Sequence, residues 1–363
     1  MKKRICFAVA CLTLVSGLAY AQRKNQRAPG GRWAAIGEVL KKHKSDNPDA
    51  HAKLMKLRTS DPRAFRTKVG ELLRTAAEKD PELKKRLNAP RSGNQRTGSF
   101  KTPDSVTVAR DIVYATYGKR KVMLDMYLPK NPPAGKIPCI MTIHGGGWRN
   151  GDKNKFARFA SKFAENGFAA ACIGYRLMPE VKVPQCVQDA KASVRWVRAN
   201  AKKYNIDPDR IGAFGGSAGA HLAAMLGTSF KVEKLEGNGG NKGVSSKVHA
   251  VVALATPADM TAFPRHAGNK ETARLISPAN YVDKDSAKFL LIHAEGDGVV
   301  PYKQSIILQE KLTKASVVVQ LTKIEGRNHA FWNGNSPTAQ KTVADTITFF
   351  QKTLKHPKPK TDK

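Results

Sequence analysis

A serine between glycines offers the clearest chemistry in this sequence. Residues 214–219 read FGGSAG, which fits the pattern G-x-S-x-G, and they stand between a predicted strand at 210–214 and a helical pattern at 220–226. A sharp strand-to-helix turn would present the Ser217 hydroxyl in a strained conformation, where glycines remove side chains that would clash. We therefore predict that Ser217 is a nucleophile; a glycine-rich turn without chemistry is the alternative.

A second glycine run could stabilise the negative charge that such a nucleophile creates on a carbonyl oxygen. The letters HGGGW at residues 144–148 follow a predicted strand at 138–143. Three glycines let backbone N–H groups approach a substrate, and they would act together with the N–H of Ala218, the residue after the nucleophile. Losing one such donor costs about 3–4 kcal/mol in other enzymes. A merely flexible turn is the alternative, and His144 is expected to hold the loop rather than transfer protons.

The general base must come from nine histidines. Where a G-x-S-x-G serine stands between a strand and a helix, the order along the chain is nucleophile, acid, histidine. We therefore expect the general base in a loop near the end of the chain. His329 fits because it follows the last predicted strand and precedes a helical pattern around 343–350. The other eight lie in the N-terminal part, in the tail, within predicted strands, beside other motifs or before the acid candidate: His43, His51, His144, His221, His249, His266, His293 and His356.

Three carboxylates compete for the role of the acid. Asp297 stands in the run HAEGDGVVP after a predicted strand at 288–292, where glycines allow a tight turn. Asp259 follows a predicted strand at 248–254 and could equally cap a helix or a turn, and Glu295 is the third candidate. We favour Asp297, which completes a predicted triad with Ser217 and His329.

These residues must be positioned by a regular alternation of apolar runs and helical stretches. Helical patterns such as 156–166 and 187–204 lie between most of the later predicted strands, which are residues 106–114, 122–128, 138–143, 168–174, 210–214, 248–254, 288–292 and 317–321. Alternating strands and helices predict a mostly parallel sheet that is covered on both faces. The reactive residues should then meet at the carboxyl ends of the strands.

The chain before this region has a different composition. Residues 22–88 are rich in Lys, Arg, Leu and Ala, and the pairs Asn47-Pro48, Asp61-Pro62 and Asp80-Pro81 each resemble an N-cap followed by proline at the first helical position. We predict two to four short helices, which could form a solvated basic stalk, a cap over the site, or a module that binds a cell wall or a partner. Residues 89–99 (APRSGNQRTGS) have the composition of a linker.

The first residues resemble an export signal. A basic start is followed by a mostly apolar run at 5–18 and then by Ala19-Tyr20-Ala21. The run is shorter than the roughly 20 residues that span a bilayer, so we predict cleavage after Ala21, a mature chain without a transmembrane segment, and a periplasmic or extracellular location. A membrane anchor and lipidation of Cys11 are the alternatives. The predicted organisation is a signal peptide at 1–21, a basic helical prefix at 22–88, a linker at 89–103, the sheet domain at 104–350 and a basic tail at 351–363.

Charge and cysteine content restrict the partners. The formal net charge is +34, and residues 22–103 alone carry 21 Lys and Arg against 8 Asp and Glu. Because the sheet domain is basic as well, contact with an anionic polymer is one interpretation of the charge, and solubility in an acidic or saline habitat is the alternative. Cys139, Cys172 and Cys186 remain after the signal peptide; their odd number disfavours a disulfide framework, and their apolar context predicts buried thiols rather than metal ligands. No metal site is predicted.

Five motifs in order resemble one known family, the hormone-sensitive-lipase-like esterases of the α/β-hydrolase fold, and within it most closely the feruloyl and acetyl-xylan esterase-like group. The motifs are HGGGW at 144–148, YRLMPE at 175–180, IDPDRIGAFGGSAGAHLA at 206–223, LLIHAEGDGVVPYKQS at 290–305 and NHAFW at 328–332. The resemblance covers about residues 111–350. It departs from the family pattern at Ala294-Glu295, where Gly-Asp is commoner, and in the basic prefix, which has no counterpart in single-domain members.

The resemblance implies an α/β-hydrolase fold, with a mostly parallel eight-stranded sheet and helices on both faces, preceded here by the short basic helical segment. It also implies carboxylester hydrolysis through an acyl-enzyme and without a cofactor: Ser217 attacks, His329 moves the proton and Asp297 orients His329. The oxyanion donors would be the backbone N–H groups of Gly145, Gly146 and Ala218.

The resulting expectation is an exported serine esterase that removes acetyl or aromatic acyl groups from a polysaccharide or from smaller esters. An arylformamidase-like or peptidase-like hydrolase is an alternative, because such enzymes share the same elements. A catalytically idle polyanion-binding protein is the alternative from a different class, although such a protein has no reason to keep nucleophile, base, acid and oxyanion loop together.

Overall fold

The computed structural model describes residues 32–88, 100–326 and 328–354, which belong to two compact units divided between Ser99 and Phe100. The predicted signal peptide, most of the predicted linker and most of the predicted tail lie outside the described residues.

The first unit consists of four consecutive helices in its described part. They are α1 (Arg32–Asp46), α2 (Pro48–Ser60), α3 (Pro62–Lys79) and α4 (Pro81–Asn88). The side chains of Asp61 and Asp80 accept hydrogen bonds from the N–H groups of Ala64 and Leu83, so both cap the helices that follow them. Asn47 precedes α2 without a capping hydrogen bond from its side chain. The predicted N-cap role is therefore confirmed at two of the three Asp/Asn-Pro pairs.

Residues 32–88 of the first unit form a small apolar core. Ala35, Leu83 and Leu87 are buried there, and partly buried residues such as Val39 and Leu73 pack against them.

The second unit is built on one sheet of eight strands. They are β1 (Val106–Tyr117), β2 (Arg120–Pro129), β3 (Ile137–Ile143), β4 (Ala169–Ile173), β5 (Ile206–Gly216), β6 (Ala250–Leu254), β7 (Lys288–Ala294) and β8 (Val319–Ile324). Their order across the sheet is β1-β2-β4-β3-β5-β6-β7-β8. The pairs β1-β2 and β2-β4 are antiparallel, and every later pair is parallel. The predicted α/β-hydrolase fold with a mostly parallel eight-stranded sheet is confirmed.

Helices cover both faces of this sheet. They are α5 (Ala157–Glu165), α6 (Val183–Ala199), α7 (Ala218–Thr228), α8 (Pro264–Ala267), α9 (Lys270–Leu275), α10 (Lys303–Lys314) and α11 (Pro337–Thr353). Five short 3-10 turns accompany them, at Lys153–Phe156, Lys202–Tyr204, Glu233–Leu235, Met260–Ala262 and Pro278–Asn280. One apolar cluster contains residues of α6, α7 and α10, and a second contains residues of α5 and α11. Successive β3 residues alternate between the clusters: Met141 belongs to the first and Ile140 to the second.

Some strand ends differ from those that the apolar runs predict. β1 and β2 extend to the hairpin pair Tyr117 and Arg120, and β5 begins at Ile206, because backbone pairing continues where the side chains are no longer apolar. His249, predicted within a strand, lies one residue before β6.

The three cysteines after residue 21 have the state that their apolar context predicts. Cys139, Cys172 and Cys186 are buried and carry free thiols. Within the described ranges, no helix is both long enough and apolar enough to cross a membrane.

Candidate active site

Ser217 occupies the sharp turn between β5 and α7. Its backbone angles are φ 57° and ψ −121°, a conformation that is strained for a residue with a side chain. The turn is held on both sides, because the Ser217 N–H donates to the Leu254 carbonyl at 2.8 Å and the Ser217 carbonyl accepts from the His221 N–H at 3.0 Å. The strain is therefore fixed by the backbone of β6 and α7, at the carboxyl end of β5.

The glycines around this turn are required by close backbone approach. A Cβ atom at Gly219 would collide with the Ile143 carbonyl oxygen, and one at Gly215 would collide with the Gly219 carbonyl oxygen. α7 can thus start directly against the end of β3, where the HGGGW loop also begins.

The structure brings the three predicted triad residues together. The His329 Nε2 atom lies 3.0 Å from the Ser217 Oγ atom, and the His329 Nδ1 atom lies 2.6 Å from the Asp297 Oδ2 atom. The three residues follow β5, β7 and β8, so parallel strands deliver them to the same edge of the sheet. The Asp297 side chain is fully buried, whereas one fifth of the His329 side chain is exposed.

The carboxylate of Asp297 is held by several donors. Its Oδ1 atom accepts from the N–H groups of Val299 at 2.8 Å and Val300 at 3.1 Å. Burial alone would raise the pKa of Asp297, but hydrogen bonds from His293, His329 and these two N–H groups hold that pKa well below its usual range. An ionised Asp297 accepts the Nδ1 proton of His329, which leaves the Nε2 lone pair directed to the Ser217 hydroxyl.

The glycine loop after β3 lies against the nucleophile. A Cβ atom at Gly145 would lie 3.3 Å from the Ser217 Cβ atom and 2.5 Å from the Gly216 carbonyl oxygen. Gly146 follows with φ 134°, a conformation that favours glycine. Ala218 is the first residue of α7, where a backbone N–H has no acceptor within its own helix. Gly145 and Ala218 therefore lie beside Ser217, and the donor role of Gly145, Gly146 and Ala218 stays a prediction.

His144 has the geometry of a residue that holds this loop. Its Nδ1 atom lies 3.0 Å from the Gly145 carbonyl oxygen, and its ring stacks on Tyr175 with 4.4 Å between ring centres. The Tyr175 hydroxyl donates to the His144 carbonyl at 3.0 Å. Burial lowers the pKa of His144 to about 4, so the ring is neutral at physiological pH.

The competing acid candidates have other partners. Asp259 caps the 3-10 turn Met260–Ala262, accepting from the Thr261 N–H at 2.9 Å and from the Thr261 hydroxyl at 2.6 Å. Glu295 forms an exposed ion pair with Lys323 at 3.2 Å. The carboxylate that contacts His329 in the described structure is that of Asp297.

Two tryptophans from the quoted motifs border the site, although the sequence assigns neither a role. The Trp332 ring packs edge-on against His329 with 5.6 Å between centres, and it fills the space where a side chain at Gly216 would lie. The Trp148 Nε1–H donates to the His221 Nδ1 atom at 3.3 Å, and the His221 Nε2–H donates to the Ile276 carbonyl at 2.7 Å. His221 thereby ties the end of the glycine loop to the segment between β6 and β7.

His293 is a third residue that sequence reasoning missed, because its position in an apolar run suggested a core histidine. It contacts Asp297 from β7. Its position four residues before the acid is the signal that could have found it. Among the described residues, no group of three or more His, Cys, Asp or Glu side chains could hold a metal ion.

Comparisons with known proteins identify one family and several related esterases. The BD-FAE family matches residues 124–312, a range that contains Ser217 and Asp297 and ends before His329. Among curated proteins, the chain is similar to esterase LipQ of Mycobacterium tuberculosis, with 30% identity over 260 residues that cover 66% of this chain and 61% of the relative. It is also similar to the probable isoprenylcysteine alpha-carbonyl methylesterase ICMEL1 of Arabidopsis thaliana, with 29% identity over 61% of this chain and 51% of the relative. The chain thus spans between half and three fifths of these relatives.

Among solved structures, the similarity covers nearly the whole length of the other protein. A truncated carbohydrate esterase from gut microbiota is 30% identical, with a TM-score of 0.61 over 70% of this chain and 99% of that chain. Esterase 2 of Thermogutta terrifontis, phosphorylated by paraoxon, is 29% identical, with a TM-score of 0.63 over 71% of this chain and 98% of that chain.

Proposed function

We propose, from the premise that the chain belongs to the BD-FAE family of α/β hydrolases, that it is a serine carboxylic ester hydrolase that works through an acyl-enzyme. The observation that carries the proposal is the continuous hydrogen-bonded series from Asp297 through His329 to a strained Ser217. The phosphorylated esterase 2 and the curated esterases support this reaction class.

The geometry of the triad supports the following sequence of steps. His329 takes the Ser217 proton while the Ser217 Oγ atom attacks the ester carbonyl carbon, and the N–H groups of Gly145, Gly146 and Ala218 stabilise the oxyanion. The tetrahedral intermediate expels the alcohol, which receives the proton from His329. A water molecule, deprotonated by His329, then attacks the acyl-enzyme, and the departing Ser217 oxygen regains its proton.

We further propose that the substrates are acetyl or aromatic acyl esters of a polysaccharide, or smaller esters, and that the chain is exported. The neighbour described as a carbohydrate esterase supports the first part. Structures of esterase 2 with propionate and with butyrate bound support a site of this kind for short acyl groups. The signal-like residues 1–21 support export.

A fluorophosphonate probe and a substrate panel test the proposal. The probe should label the wild-type protein and leave Ser217→Ala unlabelled, and Ser217→Ala or His329→Ala should lower kcat by roughly 10⁴ to 10⁶ while the fold is retained, because triad members act as a unit. A loss below about tenfold would contradict the assignment. Hydrolysis of formamides or peptides in preference to acyl esters would replace the esterase with an arylformamidase-like or peptidase-like enzyme.

A further inference from the structure

A second histidine contacts the carboxylate of the triad. His293 lies on β7 with a fully buried side chain, and its Nε2 atom is 3.4 Å from the Asp297 Oδ2 atom, the same oxygen that accepts from His329. We propose that His293 is a positioning residue, which holds the Asp297 carboxylate in the orientation that His329 requires. The inference rests on the proposed function, since it assigns a role within the same triad.

The surroundings of His293 fix where its proton lies. The Nε2 atom faces two acceptors, the Val300 carbonyl oxygen at 3.0 Å and the Asp297 Oδ2 atom at 3.4 Å. Because both are acceptors, Nε2 must carry the proton, which forms a hydrogen bond to the Val300 carbonyl and lies close to the Oδ2 atom. In a neutral ring the Nδ1 atom is then an acceptor, and the buried Ser305 hydroxyl, 2.7 Å away at the start of α10, donates to it.

These contacts connect the acid loop to its two flanking elements. The Asp297 Oδ1 atom is held by the N–H groups of Val299 and Val300, while His293 holds both the Val300 carbonyl and the Oδ2 atom. A series of donors thus leads from Ser305 on α10 through His293 on β7 to Asp297. With His293 absent, His329 would be the remaining side-chain donor to Oδ2 among the described residues, and the orientation of the carboxylate would depend on the two N–H groups at Oδ1.

The effect should appear in the chemical step rather than in binding. The bond from His329 to Asp297 must be aligned in the transition state, and a reacting group that is displaced by a fraction of an ångström slows the reaction. A histidine that serves only to fill space would be replaceable by an apolar residue of similar size, because nothing but volume would then be needed.

Four variants separate these roles. His293→Leu should lower kcat on the order of 10–100-fold, the range typical of residues that orient catalytic groups through another residue, with KM unchanged within about twofold. His293→Gln, which can place an N–H near the Nε2 position, should recover most of that loss. Ser305→Ala should lower kcat less than His293→Leu does. His249→Gln is the matched control, because His249 is a half-buried histidine just before β6, at the amino end of the sheet.

A spectroscopic readout accompanies the kinetics. The low-field proton resonance of the hydrogen bond between His329 and Asp297 should broaden or disappear in His293→Leu and persist in His293→Gln and His249→Gln. If His293→Leu keeps both kcat and the resonance, the inference is overturned although the esterase proposal stands. If the wild type neither hydrolyses esters nor reacts with the fluorophosphonate at Ser217, it is the proposed function that fails. Should His293→Leu not fold, an unchanged kcat in Ser305→Ala would overturn the inference by itself.

Discussion

At the scale of single residues, the structure gives different partners to two aspartates, of which the sequence favours Asp297 as the acid and leaves Asp259 as the alternative. Asp297 contacts His329, whereas Asp259 caps a 3-10 turn beside Thr261. Asp297→Asn should lower kcat by roughly 10⁴-fold, because an amide there favours the wrong tautomer of His329. Asp259→Asn also removes one carboxylate charge, but it should lower kcat only slightly. Kinetics of both variants on one ester decide the assignment, and the reverse order of effects would move the acid to Asp259.

Two glycines provide a second comparison at this scale. A Cβ atom at Gly145 would collide with the Gly216 carbonyl oxygen, whereas a Cβ atom at Gly298 would meet nothing within 4 Å. Gly145→Ala should therefore displace the oxyanion loop and lower kcat about 10²- to 10³-fold, as the loss of one oxyanion donor does. Gly298→Ala, which lies beside Asp297, should change kcat little. Equal activity of the two variants would show that the loop contributes no donor.

At the scale of elements, two buried histidines connect the segments that form the site. His144 holds the glycine loop and His221 ties Trp148 to Ile276, and burial lowers the pKa of each to about 4. The unfolded chain, with an ordinary pKa near 6.5, binds more protons between these two values, so stability is lost as the pH falls through this window. The loss from pH 7 to pH 5 should be on the order of 2 kcal/mol per histidine.

Urea unfolding between pH 5 and pH 8 tests this prediction with the variant His221→Gln. Glutamine can still donate to the Ile276 carbonyl but does not titrate, so the unfolding free energy of the variant should fall less steeply with decreasing pH than that of the wild type. A variant that is as pH-dependent as the wild type would contradict the role given to His221.

At the scale of the whole molecule, the chain has two compact units, each with an apolar core of its own. A shortened chain that begins at Phe100 should therefore fold and hydrolyse small soluble esters with a kcat/KM close to that of a chain that begins at Gln22. Thermal unfolding and ester kinetics of the two forms provide the measurement. An insoluble or inactive shortened chain would favour the alternative in which the basic prefix caps the site.

We propose that the positive charge serves attraction to anionic polymers. With a net charge of +34, binding to a sulfated or uronate-rich polysaccharide should weaken steeply with salt, because it depends on counterion release and a long-range field. Hydrolysis of a small neutral ester should be nearly indifferent to the same salt. Retention of the protein on such a polysaccharide, measured from about 50 to 500 mM salt with and without the prefix, would show which unit binds the polymer. Retention that is absent at low salt, or that is the same at every salt concentration, would contradict electrostatic binding.

The sequence by itself determined the fold class and the chain order of the reactive residues. Ser217 is recognisable because a G-x-S-x-G pattern between a strand and a helix is local, and strand and helix periodicity show where parallel strands end. His329 follows from position, since few histidines lie in late loops. The same local reasoning identified Asp61 and Asp80 as helix caps, but it also predicted a cap at Asn47, whose side chain makes no capping hydrogen bond.

Only the tertiary structure decided which polar groups meet. The sequence favours Asp297 over Asp259, but the contact of Asp297 with His329 joins residues that follow different strands, and the contact of His293 with Asp297 depends on how the turn after β7 folds back. In the sequence, His293 is a single polar residue in an apolar run and Trp332 is a single aromatic residue in a motif, so neither pattern indicates what the side chain contacts. Periodicity reports which face of an element is buried, but the partner of a buried polar atom is set by how strands and loops pack in three dimensions.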